Sequence, residues 1–185
     1  LSIDGIHYPA AYVSTDTAFG YSIPERPNAI GLAFTVFPGR RYVAVEGASE
    51  SRIELWENNS STSSWYLRAK MVGELKGFHD SNLGLIAYGA FDSVVVNPES
   101  FWDTSFVSCA AFTFSPLQSK ISIPQSEVSD TIKCAFTAGS VTYFGGFSEE
   151  GPVLVRYVNG VAQPLIYASQ GYPTVKDVRS INWYD

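Results

Sequence analysis

The two histidines are the first residues to consider for chemistry, because His is the usual base that activates a Ser or Cys nucleophile. The run His79-Asp80-Ser81 has the residue types of a catalytic triad. Adjacent side chains diverge from the backbone, so these three do not relay a proton in line. The flanking Gly77 and Gly84 instead predict a turn, with His79 in a surface loop. The sequence therefore predicts no triad of the serine-hydrolase kind.

Carboxylates and metal ligands show no stronger pattern. A glycosidase needs two carboxylates facing each other across a cleft, and Asp92 and Glu99 are the acids we consider, Asp92 at a predicted strand end. Cys109 and Cys134 lie in apolar, strand-like runs away from either His, so zinc-ligand spacing is absent. The two thiols either form a disulfide or stay free as small buried hydrophobes, and we favour the second. We predict no catalytic residue, no metal ligand and no cofactor.

Aromatic residues beside polar segments indicate a different chemistry, the recognition of a ligand. Trp56 and Trp65 flank a predicted surface loop, residues 58–64, and Trp102 follows the turn Pro98-Glu99-Ser100. Aromatic rings beside Asn, Asp and Ser offer apolar contact with directional hydrogen bonds, which sugars and partner proteins both use. The alternative is that these rings fill the core. The predicted ligand-binding residues are Trp56, Asn58, Asn59, Trp65, Trp102 and Asp103.

Strands must hold these residues in place, because the chain is a series of short apolar runs rich in Val, Ile, Phe and Tyr. This rhythm predicts an all-β fold, an antiparallel β-sandwich that is jelly-roll-like, as one domain over residues 30–185. Residues 1–29 have turn and extended signals with little periodicity and predict an extended N-terminal arm or linker. The predicted strands cover 30–36, 42–48, 52–56, 65–72, 83–91, 93–96, 106–114, 131–138, 141–147, 153–158 and 161–168.

Three local patterns refine this prediction. Asn159-Gly160 between two apolar runs predicts a two-residue hairpin, because both residues tolerate a positive φ. Gly145-Gly146 within a run predicts a bulge or a close backbone approach. Residues 42–56 resemble residues 143–157, each with a strand, an acidic turn and a strand that ends in an aromatic residue. A partial β-propeller-like repeat of four-stranded units is therefore the alternative fold.

Composition narrows the possible partners. The net charge of −6 argues against nucleic acid, whose binding depends on Lys and Arg, and the doublet Arg40-Arg41 is typical of a turn entering a strand. No apolar run reaches the roughly 18 residues that cross a bilayer, so membrane insertion is not expected. Scarce Lys with abundant Ser, Tyr and Gly favours an extracellular or virion-surface location.

We therefore expect a non-enzymatic, surface-exposed recognition domain belonging to a longer protein. A projecting domain of a virus capsid or phage tail that binds a cell-surface glycan or protein receptor fits this description, by analogy of composition and architecture. A homo-oligomer or a larger assembly is expected. The alternatives are a secreted lectin or carbohydrate-binding module, a structural assembly domain, and a small glycan hydrolase.

Overall fold

The computed structural model describes residues 2–3, 6–7, 31–37, 40–47, 52–59, 64–101, 103–116, 118–121, 131–148, 151–166 and 181. Every regular element among them is a β-strand, and these residues include no helix long and apolar enough to cross a membrane. The strands are β1 (Ser2–Ile3), β2 (Ile6–His7), β3 (Gly31–Phe37), β4 (Arg40–Glu46), β5 (Arg52–Asn59), β6 (Ser64–Ser81), β7 (Gly84–Val96), β8 (Thr104–Pro116), β9 (Ser119–Lys120), β10 (Thr131–Ala138), β11 (Val141–Ser148), β12 (Gly151–Val158) and β13 (Val161–Ile166).

Strands that follow one another along the chain are neighbours in the sheets. One sheet has the order β3-β4-β5-β6-β7-β8-β9, a second has the order β10-β11-β12-β13, and β1 pairs with β2. Consecutive strands run antiparallel, as in β4-β5 and β11-β12. Within each sheet the connections are those of a meander, in which hairpins take the place of the crossovers of a jelly roll. The prediction of an all-β antiparallel fold is confirmed.

The chain divides into two compact units. Unit 1 comprises Leu1–Gly73 and Val94–Ser105, and unit 2 comprises Glu74–Ser93 and Phe106–Asp185. The long strands β6, β7 and β8 contribute residues to both units. Of the predicted N-terminal arm, the structure describes only β1 and β2, and the rest of residues 1–29 lies outside the described part of the chain.

Unit 2 contains the sandwich, because its core joins side chains from both larger sheets. The buried apolar residues of this core are Ile86, Ala110, Ala111, Ile121, Ile132, Phe144, Val153, Val155 and Ala162. Phe112 and Phe114 alternate with Ala111 along β8 and so lie on the other face of that strand. The Phe112 ring meets the Phe91 ring edge-to-face with centroids 5.4 Å apart, and the Phe114 ring meets the Phe78 ring edge-to-face with centroids 5.8 Å apart. The sandwich prediction is confirmed, and β8 is buried on both faces.

Two local predictions are confirmed in the second sheet. Asn159 and Gly160 form the β12-β13 turn with φ of 50° and 82°, as a two-residue hairpin requires. Gly146 lies so close to β10 that an added Cβ would stand 1.9 Å from the Thr131 carbonyl oxygen. The register of β10 against β11 also shifts at this point, between Ile132 and Cys134. Glycine is therefore required there by the close approach of two backbones.

The predicted turn around Gly77 is wrong, because β6 continues without interruption to Ser81. Gly77 serves packing instead, since a Cβ at this position would stand 2.6 Å from the Tyr88 hydroxyl oxygen. The turn comes only after Ser81, whose hydroxyl donates to the Gly84 carbonyl at 2.9 Å. The two predicted strands 83–91 and 93–96 are likewise one strand, β7, so Asp92 lies inside a strand and not at its end.

Candidate functional site

The β5-β6 hairpin of unit 1 carries most of the predicted ligand-binding residues. The sequence prediction placed Asn58 and Asn59 in a polar loop, but both belong to β5, and Asn58 is fully buried. The reason is pairing with β4, which continues past the apolar residues and gives the Asn backbone groups their partners. Asn58 faces Trp65 in β6, and Asn59 faces Ser64. Successive residues of a strand point to opposite faces, so the hairpin separates the predicted site into two halves.

One face, which we call the tryptophan face, carries Arg41, Trp56, Asn58 and Trp65. Trp56 is 5% exposed and packs with Val43, Val45 and Leu67, with Trp65 against their edge. The Trp56 indole Nε1 donates to the buried Glu54 carboxylate at 3.2 Å. The tryptophan face is therefore packed core over much of its area.

Asn58 has a structural role on the tryptophan face. Its Nδ2 donates to the Ser64 carbonyl at 3.2 Å, so it ties the end of β5 to the start of β6. Its Oδ1 accepts from Arg41 Nη1 at 3.5 Å. A fully buried amide with both ends engaged stabilises the hairpin and is not available to a ligand.

The opposite face, which we call the arginine face, carries Arg40, Glu57, Asn59, Tyr66 and Arg68. The register places Arg40 beside Asn59 and places Glu57 beside Tyr66. A register shift between Leu55 and Trp56 accommodates Arg68 as an extra residue of β6. The arginine face therefore joins three strands, β4, β5 and β6.

Glu57 is the centre of the arginine face. Its side chain is 2% exposed and accepts from Arg40 Nη1 at 3.0 Å. Arg68 forms a two-pronged contact with the same carboxylate, Nε to Oε2 at 2.6 Å and Nη2 to Oε1 at 3.1 Å. Two parallel N–H···O bonds fix the plane of a guanidinium as well as its position. Glu57 thus holds two cations on one buried carboxylate.

Arg68 is further fixed by the end of β7. Its Nη1 donates to the Asn97 side-chain Oδ1 at 3.2 Å, and the backbone N–H of Asn97 donates to the backbone carbonyl of Arg68 at 2.7 Å. Asn97 has a φ of 52°, a conformation that Asn tolerates better than most residues. The hydrogen bonds to Glu57 raise the pKa of Arg68, with smaller contributions from Tyr42 and Tyr66, against the opposing effect of burial.

Exposure increases outward from this centre. Tyr66 is 47% exposed, and the side chains of Arg40 and Arg68 are 44% and 30% exposed. Asn59, which shares the face, is half-buried. An aromatic ring, two guanidiniums and an amide are therefore presented together to solvent on a rigid support.

The structure brings some of the predicted site residues together and separates others. Trp56, Asn58 and Trp65 share the tryptophan face, whereas Asn59 lies on the arginine face. Asp103 is exposed just before β8, and no described hydrogen bond or ion pair joins it to the hairpin. Trp102 lies outside the described residues.

Sequence reasoning missed Arg40, Glu57 and Arg68, and it counted Tyr66 only among many aromatic residues. The usable signal was spacing, because the polar and aromatic residues of this face come in pairs that are two residues apart. The pairs are Arg40 and Tyr42 in β4, Glu57 and Asn59 in β5, and Tyr66 and Arg68 in β6. Such pairs share a face once the strands are placed. The strand ends had to be known first, and the predicted end of β5 fell at Trp56.

The other candidates for chemistry do not form a site. His79 lies in β6, and its Nε2 is 2.8 Å from the Thr137 hydroxyl, so its assignment to a surface loop is wrong. Burial lowers the pKa of His79, against a smaller opposing effect of Asp80. Cys109 and Cys134 are free thiols. Within the described ranges, no three His, Cys, Asp or Glu side chains are grouped so that they could hold a metal ion.

Comparison with known proteins adds no assignment. No protein-family description matches the chain, and no curated protein is similar to it in sequence.

Proposed function

We propose that the chain is a non-enzymatic recognition domain whose arginine face binds a cell-surface glycan or receptor. The observation that carries this proposal is the buried Glu57, which holds two partly exposed guanidiniums beside an exposed Tyr66 ring. A site whose side chains are already fixed loses little conformational entropy when a ligand binds. An aromatic ring beside directional donors is the combination that sugar rings and protein hot spots require.

The kind of protein to which this domain belongs is a second part of the proposal. A projecting domain of a virus capsid or phage tail is favoured by the scarcity of Lys and the abundance of Ser, Tyr and Gly. A secreted carbohydrate-binding module would use the same site chemistry. Composition alone supports this part, so the binding experiment is independent of it.

The test is binding of the whole chain to a broad glycan array, with the Tyr66→Ala variant alongside. Tyr66 is 47% exposed, so we expect the variant to fold and to lose binding by about tenfold or more. Val161→Ala is the matched control, because Val161 is 56% exposed and belongs to unit 2. Wild-type binding that survives Tyr66→Ala would place the site elsewhere. An array without signal would refute glycan recognition.

Self-assembly is the second candidate function, and one residue favours it. Phe101 in the β7-β8 connection is 89% exposed, the highest value among the exposed large hydrophobic residues described. Aromatic side chains such as Phe are enriched at protein–protein interfaces relative to the rest of the surface. Solution mass measured by light scattering tests this second function: a stable oligomer that Phe101→Ser converts to a monomer supports assembly, and a wild-type monomer at all concentrations excludes it.

A further inference from the structure

The arginine face carries more positive charge than Glu57 neutralises. Arg40 Nη1 and Arg68 Nη2 approach the same oxygen, Glu57 Oε1, at 3.0 and 3.1 Å. Two cations on one carboxylate leave a net charge of +1 at this cluster, in a chain whose net charge is −6. A positive cluster attracts a negatively charged ligand. On an acidic protein it also confines that ligand to one place, because the rest of the surface repels anions.

The two arginines differ in how many of their guanidinium nitrogens already donate hydrogen bonds within the protein. Arg68 uses all three of its nitrogens on Glu57 and Asn97, so it is fixed in place. Arg40 uses one Nη1 hydrogen on Glu57, and the rest of its guanidinium has no other partner among the described residues. With 44% of its side chain exposed, Arg40 can direct its remaining N–H groups toward solvent. The excess charge and the available donors therefore coincide at one residue.

We infer that the glycan bound by the arginine face is acidic, with its carboxylate or sulfate group held by Arg40 and its sugar ring against Tyr66. This inference rests on the proposed function and names the ligand class. The planar guanidinium fork matches the geometry of a carboxylate or a sulfate, which a Lys ammonium does not. Tyr66 lies on the same face, two strands from Arg40, directly across from Glu57. A sugar acid supplies an anion and an apolar ring surface within one residue of glycan.

The experiment compares acidic glycans with their neutral parents on the whole chain. The probes are sialylated, sulfated and uronate-containing glycans, each beside the same glycan without its acidic group. The variants are Arg40→Gln, which removes the charge, and Arg40→Lys, which keeps the charge and removes the fork. Arg156→Gln is the matched control, because Arg156 is an exposed arginine of unit 2 bound to Gln163.

We expect binding to acidic members only, weakened by added salt and at least about tenfold weaker in Arg40→Gln, with Arg40→Lys in between and Arg156→Gln unchanged. Carboxylate and sulfate probes distinguish the two sources of the anion. Binding of neutral parents as well as acidic forms would overturn the inference while leaving the proposed function intact. Equal loss in Arg40→Gln and Arg156→Gln would also overturn it, since the effect would then be one of overall charge. No binding to any glycan would refute the inference together with the glycan part of the proposed function, whereas binding to a protein receptor would remain to be measured.

Discussion

Replacing Glu57 with Gln removes a negative charge from a side chain that is 2% exposed, with almost no change in size. In the variant, the amide oxygen can still accept the two hydrogen bonds that Oε1 accepts in the wild type. In the wild type, Oε2 accepts from Arg68 Nε at 2.6 Å. In the variant, the amide nitrogen takes the place of Oε2, so two hydrogen-bond donors face each other. Breaking a fully buried ion pair costs about 3–5 kcal/mol. Arg40 and Arg68 are 44% and 30% exposed and can recover some hydration. We therefore expect a loss of about 2–3 kcal/mol, below that buried-pair range because of this hydration.

Urea unfolding followed by far-UV circular dichroism measures this loss, because the strands of both units contribute to that signal. In thermal unfolding the same loss corresponds to a lower Tm by about 4–12 °C. Glu74→Gln is the control, because Glu74 is 62% exposed and pairs with Lys76 at the surface, where an ion pair contributes about 0–1 kcal/mol. If Glu57→Gln is as mild as Glu74→Gln, the carboxylate does not organise this face and the argument for a fixed site fails.

The remaining predictions concern unit 2. Gly146→Ala should cost about 1–3 kcal/mol, because its Cβ would overlap the opposing backbone, whereas Ser140→Ala at an exposed turn should be neutral in the same urea titration. Burial raises the pKa of Cys109 to about 11. In a Cys134→Ser variant the remaining thiol should therefore react with a disulfide reagent at pH 8 only on unfolding, and rapid labelling of the native protein would contradict this. Because burial lowers the pKa of His79 in the folded state, the unfolded state binds the extra proton as the pH falls below about 6.5. Wild type should then lose stability relative to His79→Gln between pH 7.5 and 5.5, and a constant difference would show that His79 titrates alike in both states.

The sequence predicted the strands well where turn-forming residues border an apolar run. Residues 131–138 match β10, and Asn159-Gly160 marks the β12-β13 turn because its conformation depends on those two residues alone. Prediction failed where a strand continues through polar or glycine residues. β6 continues through Gly77 to Ser81, and a Cβ at Gly77 would stand 2.6 Å from the Tyr88 hydroxyl oxygen, an approach between residues on different strands that the order of residues does not reveal.

The candidate site was harder to predict than the fold for the same physical reason. Trp56 and Asn59 are three residues apart in sequence and lie on opposite faces, because β5 extends to Asn59 by pairing with β4. Successive residues of a strand point to opposite faces, so a site inferred from composition, before its residues are assigned to a strand, mixes the two faces. Arg40 shows the consequence: beside Arg41 it resembled a simple turn signal, whereas alternation sends Arg41 to Asn58 and Arg40 to Glu57. The doublet therefore contributes Arg41 to the tryptophan face and Arg40 to the arginine face, and Arg40 is the one that we propose meets a ligand.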